Sequence, residues 1–180
     1  MKKTLPQRTV VLGGARSGKS ALAERLVTLY AKPRVYLATA QAFDDEMRAR
    51  IADHQNARGA DWRLVEAPMT AAEALREVTI DEVVLLDCAT LWLSNQMLAE
   101  TDLQAACADL LDAIDTCAGA VVTVSNEVGL SVVPDNALAR AFRDAQGTLN
   151  ARLAAQADLA LFVAAGLPLV LKGTLPEGLE

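Results

Sequence analysis

Eight residues, Gly13-Gly14-Ala15-Arg16-Ser17-Gly18-Lys19-Ser20, restrict this chain more than any other feature. They follow an apolar run, Thr9 to Leu12, and precede a helical pattern, Ala21 to Leu29. The order is strand, glycine-rich turn, helix, and the spacing G-x-x-x-x-G-K-S is that of a phosphate-cradling P-loop. Glycine lets backbone N–H groups turn inward into a concave anion nest. The helix that begins near Lys19 directs its positive end at the same point. Lys19 can reach terminal phosphates, and Ser20 can offer its hydroxyl to Mg²⁺. The bland alternative, a glycine turn that binds nothing, is disfavoured by the full motif standing between a strand and a helix.

Further apolar, strand-like runs recur at Arg34–Ala38, Arg63–Val65, Glu82–Asp87, Ala120–Ser125 and Leu159–Val163. Several are continuous rather than alternating, which suits strands buried on both faces of a mainly parallel sheet. The segments near 19–29, 43–57, 70–77, 89–99, 102–117 and 136–156 read as helices, the last opened by Pro134-Asp135-Asn136 and striped by Leu138, Phe142, Ala145, Leu149 and Leu153. Alternating β and α elements imply a three-layer α/β fold. Ala164-Ala165-Gly166-Leu167-Pro168 turns into a short last strand, Leu169–Lys172, which so short a connection should pair antiparallel. The ends, Met1–Arg8 and Thr174–Glu180, are expected to be loose. No repeat or linker breaks the chain, so residues 1–180 are read as one nucleotide-binding domain.

Two residues away from the loop carry chemistry. Asp87 ends the run Val83-Val84-Leu85-Leu86, at the strand edge where open α/β sheets bind ligands. It is read as the carboxylate that joins Ser20 in holding Mg²⁺; the competing role is a cap on the next helix at Ala89 or Thr90. His54 is the single histidine. On a helix over 43–57 it would share a face with Phe43, Met47, Arg50, Ile51 and Arg58. Inward-facing cations need an anion, and a triphosphate supplies one. Neutral imidazole is also a nucleophile near pH 7. A solitary helical histidine is as readily a surface or packing residue, and the spacing leaves both roles open.

Composition narrows the partners. Hydrophobic residues are 52% and aromatics 4%, so Ala, Leu and Val must fill the core. The formal charge of −6 argues against a nucleic-acid binder relying on phosphate attraction. The apolar run after Lys2 and Lys3 is too short for a signal peptide, and Leu159–Leu171, interrupted by Gly166 and Pro168, is too short to span a bilayer. Cys88, Cys107 and Cys117 lack metal-ligand spacing and are expected as reduced thiols in or near the core of a cytoplasmic protein.

Beyond the P-loop, the chain carries Tyr36-Leu37-Ala38-Thr39-Ala40-Gln41, Asp44-Asp45-Glu46-Met47 with Arg50-Ile51 and His54, and Trp62-Arg63. It continues with Leu85-Leu86-Asp87-Cys88, Asn126-Glu127-Val128-Gly129 with Val133-Pro134, Leu138-Ala139-Arg140, and Phe142-Arg143-Asp144. Over roughly residues 9–173 the sequence resembles the bifunctional adenosylcobinamide kinase / adenosylcobinamide-phosphate guanylyltransferases of cobalamin biosynthesis. The resemblance implies a RecA-like P-loop NTPase fold and two reactions. A nucleoside triphosphate, ATP or GTP, phosphorylates the aminopropanol hydroxyl of adenosylcobinamide. GTP then donates GMP to that phosphate, through a covalent GMP-histidine at the position of His54, releasing pyrophosphate. Guanine-nucleotide contacts are implied at Gly13, Gly14, Ala15, Arg16, Ser17, Gly18, Lys19, Ser20, Thr39, Ala40, Gln41, Gln55, Asn56, Ala57, Arg58, Glu66 and Asp87. A corrinoid substrate and a homotrimer are implied as well.

The chain departs from the family pattern at three places. Asp53 stands where a second histidine is usual, Ala40 where serine is common, and Asp87 where glutamate also occurs. None removes a group the two reactions require. Asp53 would raise the pKa of His54 and favour the less nucleophilic imidazolium. Arg16 either covers the phosphates or is solvated; Glu127 either orients the acceptor hydroxyl or ties down a turn. Arg140 and Arg143 read as the solvent side of the last helix. Two rivals stand beside this reading: a P-loop small-molecule kinase without nucleotidyl transfer, and a nucleotide-gated switch. The chain has no N-K-x-D-like run of the kind with which common GTPase switches read guanine.

Overall fold

The computed structural model describes residues 5–41 and 61–179. The expected helix over 43–57, with His54, Gln55, Asn56, Ala57 and Arg58, lies outside the described residues. Seven strands form one sheet: β1 (Arg8–Gly13), β2 (Arg34–Ala38), β3 (Trp62–Glu66), β4 (Val83–Asp87), β5 (Ala120–Asn126), β6 (Leu159–Ala164) and β7 (Leu167–Lys172). Their order is β3-β2-β4-β5-β1-β6-β7. All neighbours are parallel except β6 and β7, whose tight turn at Ala165-Gly166 forces the antiparallel pairing expected from the sequence.

The described helices are α1 (Lys19–Thr28), α2 (Ala71–Arg76), α3 (Ala89–Leu98), α4 (Leu103–Thr116) and α5 (Ala137–Gln156). Period-two alternation divides each central strand between two cores. Val11, Val83, Leu85, Val122 and Val124 pack with Leu22, Leu26 and Val27 of α1. Val10, Leu12, Val84, Leu86 and Val121 pack with Leu75, Trp92, Leu110, Ile114 and Leu149 of the other helices. A strand buried on both faces does not alternate apolar with charged residues, which is why β4 opens with four apolar residues and β1 and β5 are apolar between their ends apart from small buried hydroxyl residues.

Three expectations differ from what is observed. The C-terminal segment is not loose: Leu179 is 1% exposed, Leu175 packs on the α1-side core, and the Gly178 carbonyl accepts from Arg25. On that face Leu22, Leu26 and Val27 of α1 and Leu91 of α3 pack on the sheet, and the last residues extend their cover. Arg8 is likewise held, its guanidinium donating to the carbonyls of Gln7, Asp115, Cys117 and Gly119. The stripe along α5 is interrupted: Leu149 and Leu153 are buried, but Leu138, in the first turn, is 59% exposed. Cys88 and Cys117 are buried, Cys107 is half-buried, and all three are free thiols.

Candidate active site

The parallel register lines up the carboxyl ends of β1, β2, β3, β4 and β5 at one edge of the sheet. Ala38 pairs with Glu66 on one side and Asp87 on the other, Asp87 pairs with Val124, and Gly13 pairs with Asn126. Gly13, Glu66 and Asp87 therefore converge here because each ends a strand, and Thr39 and Glu127 because each follows one.

The phosphate loop connects β1 to α1. A Cβ on Gly13 would stand 2.6 Å from both Ser17 Oγ and the Val163 carbonyl oxygen, so only glycine fits. Gly18 caps α1 with φ of +97°, a left-handed conformation open to glycine. The loop closes on itself through Ser17 N–H to the Gly14 carbonyl, 3.3 Å. It is braced from behind by the β6–β7 turn, where Gly166 N–H donates to the Ser17 carbonyl at 2.9 Å. That brace was not legible in the sequence, where the turn reads as a connection only.

Lys19 is the buried cation of the site. Its side chain folds back over the loop and Nζ donates to the Gly14 carbonyl at 2.9 Å. Burial pulls its pKa below the usual lysine value, opposed by the negative fields of Cys88 and Asp87. An ammonium held this way gains when a phosphate arrives. Ser20 follows, half-buried, in the first turn of α1. Ala15 and Arg16 lie exposed at the tip of the loop, Arg16 with φ of +56°.

Asp87 accepts from Tyr36 Oη at 3.1 Å. The cap on α3 is its neighbour: Cys88 Sγ accepts from Leu91 N–H. Burial, with the adjacent Asp87 charge, lifts the Cys88 thiol to about 11 and keeps it a neutral acceptor.

Thr39 is wholly buried and already engaged. Its hydroxyl donates to the Cys88 carbonyl at 2.7 Å and accepts from Cys88 N–H at 2.8 Å, and its carbonyl accepts from Asn95. It joins the end of β2 to the end of β4, while Ala40 and Gln41 are half-buried beside it. Glu66 is exposed at the end of the edge strand β3.

Two buried polar groups behind the site were not singled out from sequence. On α3, Asn95 donates to the Thr39 and Pro68 carbonyls and Gln96 to the Met69 carbonyl, pinning the chain where it leaves β2 and β3. Between β5, α3 and α5, Ser125 Oγ donates to Asn150 Oδ1 at 2.7 Å. Gln146 Nε2 lies 2.9 Å from Ser125 Oγ and 2.8 Å from Asn150 Oδ1. Asn150 Nδ2 donates to the Asn126 carbonyl at 3.0 Å and to Glu127 Oε2 at 3.3 Å. Glu127 Oε1 takes Gly129 N–H at 2.8 Å, and its own N–H donates to the Gly13 carbonyl. Glu127 thus ties down a turn, as one of its two readings held, and is anchored at the root of the phosphate loop. The only sequence signal for these groups is polar residues at positions whose helical spacing faces the core.

Arg140 and Arg143 depart from the solvent-side expectation. Arg140 donates to the Pro134 and Asp135 carbonyls, and Arg143 is 21% exposed and pairs with Asp144. Arg140 is thus turned onto the 128–135 connection, and Arg143 is held against its neighbour on α5. No group of three or more His, Cys, Asp or Glu placed to hold a metal occurs among the described residues. No helix there is long and apolar enough to cross a membrane.

Known proteins resemble this chain in sequence and in fold. Among solved structures, the RadB recombinase superposes with a TM-score of 0.52 at 17% identity, over 88% of this chain and 74% of that one, which is a likeness of fold. The bifunctional adenosylcobalamin biosynthesis protein CobP of Pseudomonas aeruginosa is 44% identical over 92% of this chain and 98% of its own length. CobU of Salmonella typhimurium, described in the same words, is 40% identical over 91% and 98%. The family described as cobinamide kinase / cobinamide phosphate guanyltransferase matches residues 9–171. With the phosphate loop, its buried lysine and the strand-end carboxylates assembled at one edge, the chain belongs to the cobinamide kinase / cobinamide phosphate guanyltransferase family.

Proposed function

We propose that this chain carries out both reactions of its family at one edge of one sheet, with the phosphate loop serving each and His54 serving the second. In phosphorylation, the alcohol oxygen of adenosylcobinamide attacks the γ-phosphorus of ATP or GTP. The bond to the β,γ-bridging oxygen breaks, and the hydroxyl proton departs. Lys19 and the loop amides steady the charge on the departing diphosphate. In guanylyl transfer, an imidazole nitrogen of His54 attacks the α-phosphorus of GTP, forming a P–N bond as pyrophosphate leaves. The phosphate oxygen of the acceptor then displaces the imidazole and takes GMP.

Mg²⁺ suits the donors present. The Ser20 hydroxyl and the Asp87 carboxylate are hard oxygen ligands, and two protein ligands leave positions for phosphate oxygens and water. When bound, the ion neutralises phosphate charge and orients the oxygens for in-line displacement. Thr39 contributes by fixing the β2 end against Cys88, leaving Ala40, Gln41 and Glu66 to meet the nucleoside. Gln55, Asn56, Ala57 and Arg58 complete its contacts.

The observation that carries the reading is where the chain leaves the sheet before His54. Ala38 lies beside Asp87, so the segment departs at the phosphate edge, pinned there by Asn95. His54 follows Gln41 by 13 residues, a length whose extended limit is roughly 40 Å. A cytoplasmic homotrimer is the proposed assembly. Supporting it, the edge strand β7 exposes Leu167 (68%), Leu169 (55%) and Leu171 (59%), an apolar face of the kind that oligomers cover.

The test uses GTP labelled at the α-phosphate, with Mg²⁺, followed by denaturation. The expected result is a protein-bound label, labile to acid and stable to alkali. Substitution His54→Ala abolishes the label while phosphorylation of adenosylcobinamide persists. An unlabelled wild type that still phosphorylates would leave a kinase alone; absence of both turnovers would leave a nucleotide-gated switch.

A further inference from the structure

The geometry points to an acceptor subsite in the groove between the 128–135 connection and α5, whose wall at Gly129 is hydrogen-bonded to Glu127. This subsite rests on the two reactions proposed for the chain and is the place where the second substrate sits. The groove is shallow and open to solvent, with a volume of about 690 Å³, and is lined by Gly129, Val133, Arg143, Gly147, Thr148 and Ala151 among others.

Three observations carry it. The first is continuity with the phosphate loop. Gly129, on the groove wall, donates its N–H to Glu127 Oε1, and Glu127 N–H donates to the Gly13 carbonyl. The groove wall is therefore tied through Gly129 to the Glu127 carboxylate, and through Glu127 to the root of the phosphate loop.

The second is Gly147. It sits inside the 20-residue helix α5, where glycine is a poor helix former. A Cβ there would meet no atom within 4 Å, so no packing within the chain requires glycine. What its missing side chain provides is the open floor of this groove.

The third is the exposed apolar surface that continues from Val133, the one of its residues that lines the groove. Leu130 (80%), Val132 (90%), Val133 (61%) and Leu138 (59%) are exposed along the 128–135 connection and the first turn of α5, yet Arg140 anchors this connection through two carbonyls. A held backbone that presents apolar side chains beside backbone amides suits a bulky macrocycle edged with amides. Adenosylcobinamide has that character. Its aminopropanol arm would lie along the glycine floor, with its hydroxyl donating to the Glu127 carboxylate.

The experiment measures phosphorylation of adenosylcobinamide alongside α-phosphate labelling by GTP. In Gly147→Phe, KM for adenosylcobinamide is expected to rise at least tenfold, while KM for ATP and the extent of labelling stay within twofold of wild type. Gly147→Ala guards against a misfolded variant: it is expected to melt a few degrees higher, from helix propensity, with a smaller rise in the same KM. Glu127→Gln is expected to lower kcat for phosphorylation at least tenfold, with labelling retained. An unchanged acceptor KM in a folded, labelled Gly147→Phe protein overturns the subsite and leaves the functional reading intact. The subsite is overturned equally if that variant changes oligomeric state with the acceptor KM unmoved. Absence of both activities in wild type overturns the reading and the subsite with it.

Discussion

Replacing Asn150 tests the polar group that holds the phosphate edge together. Asn150 is 3% exposed and uses both ends of its amide. In Asn150→Ala, the Ser125 hydroxyl can turn to Thr90 Oγ1, 3.3 Å away, and Gln146 Nε2 keeps Ser125. Glu127 keeps Gly129 N–H. The Asn126 carbonyl, however, loses the side-chain donor it has at 3.0 Å. A stranded, partly buried acceptor costs about 1–3 kcal/mol, and the hole left by the amide adds about 1 kcal/mol. The sum is near 3 kcal/mol. For a chain of this length each kcal/mol lowers Tm by about 2–4 °C, so the drop should be about 6–12 °C.

Asn150→Asp keeps the volume and the acceptor for Ser125 and Gln146. It also turns an oxygen toward the Asn126 carbonyl and the Glu127 carboxylate. Burial and that neighbouring charge raise the pKa of the new carboxyl group. At pH 7 its loss should exceed that of Asn150→Ala, and it should shrink on acidification as the protonated acid regains a donor. Thermal melts of both variants at pH 5 and pH 7, without nucleotide, check this. An Asn150→Ala protein melting within about 2 °C of wild type would refute the reasoning, as would an Asn150→Asp protein equally stable at both pH values.

Other expectations concern the loop and the opposite end of the sheet. Lys19→Met should abolish phosphorylation yet leave the nucleotide-free Tm at pH 7 unchanged or higher. The folded chain holds the lysine proton less tightly than the unfolded chain, so charging that group opposes folding. Gly13→Ala should destabilise by about 1–3 kcal/mol, because the Val163 carbonyl 2.6 Å from the new Cβ is backbone. Gly14→Ala, with no atom within 4 Å, should fold as wild type; paired melts distinguish the two. Burial lifts Tyr30 to about 12, and its hydroxyl donates to the Pro6 carbonyl. Its folded pKa lies above the unfolded value, so this stability is intact below about pH 10 and falls by roughly 2 kcal/mol by pH 12. Tyr30→Phe should flatten that alkaline loss in urea unfolding curves taken from pH 9 to 12.

How much of this protein can be read from its residues follows from which contacts are local. The phosphate loop is legible because a strand end, a glycine turn and a helix start are consecutive, and the positive φ of Gly18 and the contact of Gly13 with Ser17 act within eight residues. The strand-end acid Asp87 and the parallel sheet follow from largely apolar runs, since burial on both faces leaves no alternation with charged residues. What stayed hidden depends on partners far apart in sequence. The Ser17 carbonyl is braced by Gly166, the Thr39 carbonyl by Asn95, and the Asn126 carbonyl by Asn150. Each pairing satisfies a backbone acceptor that only the folded sheet edge brings near. Leu179 looked dispensable because nothing local holds it; it is buried because the face that α1 leaves uncovered must be closed. Sequence alone determined the phosphate loop and the strand ends that stand beside it. Tertiary structure decided which polar groups are spent holding those ends in place, because a hydrogen bond inside the protein depends on distance in space and not along the chain.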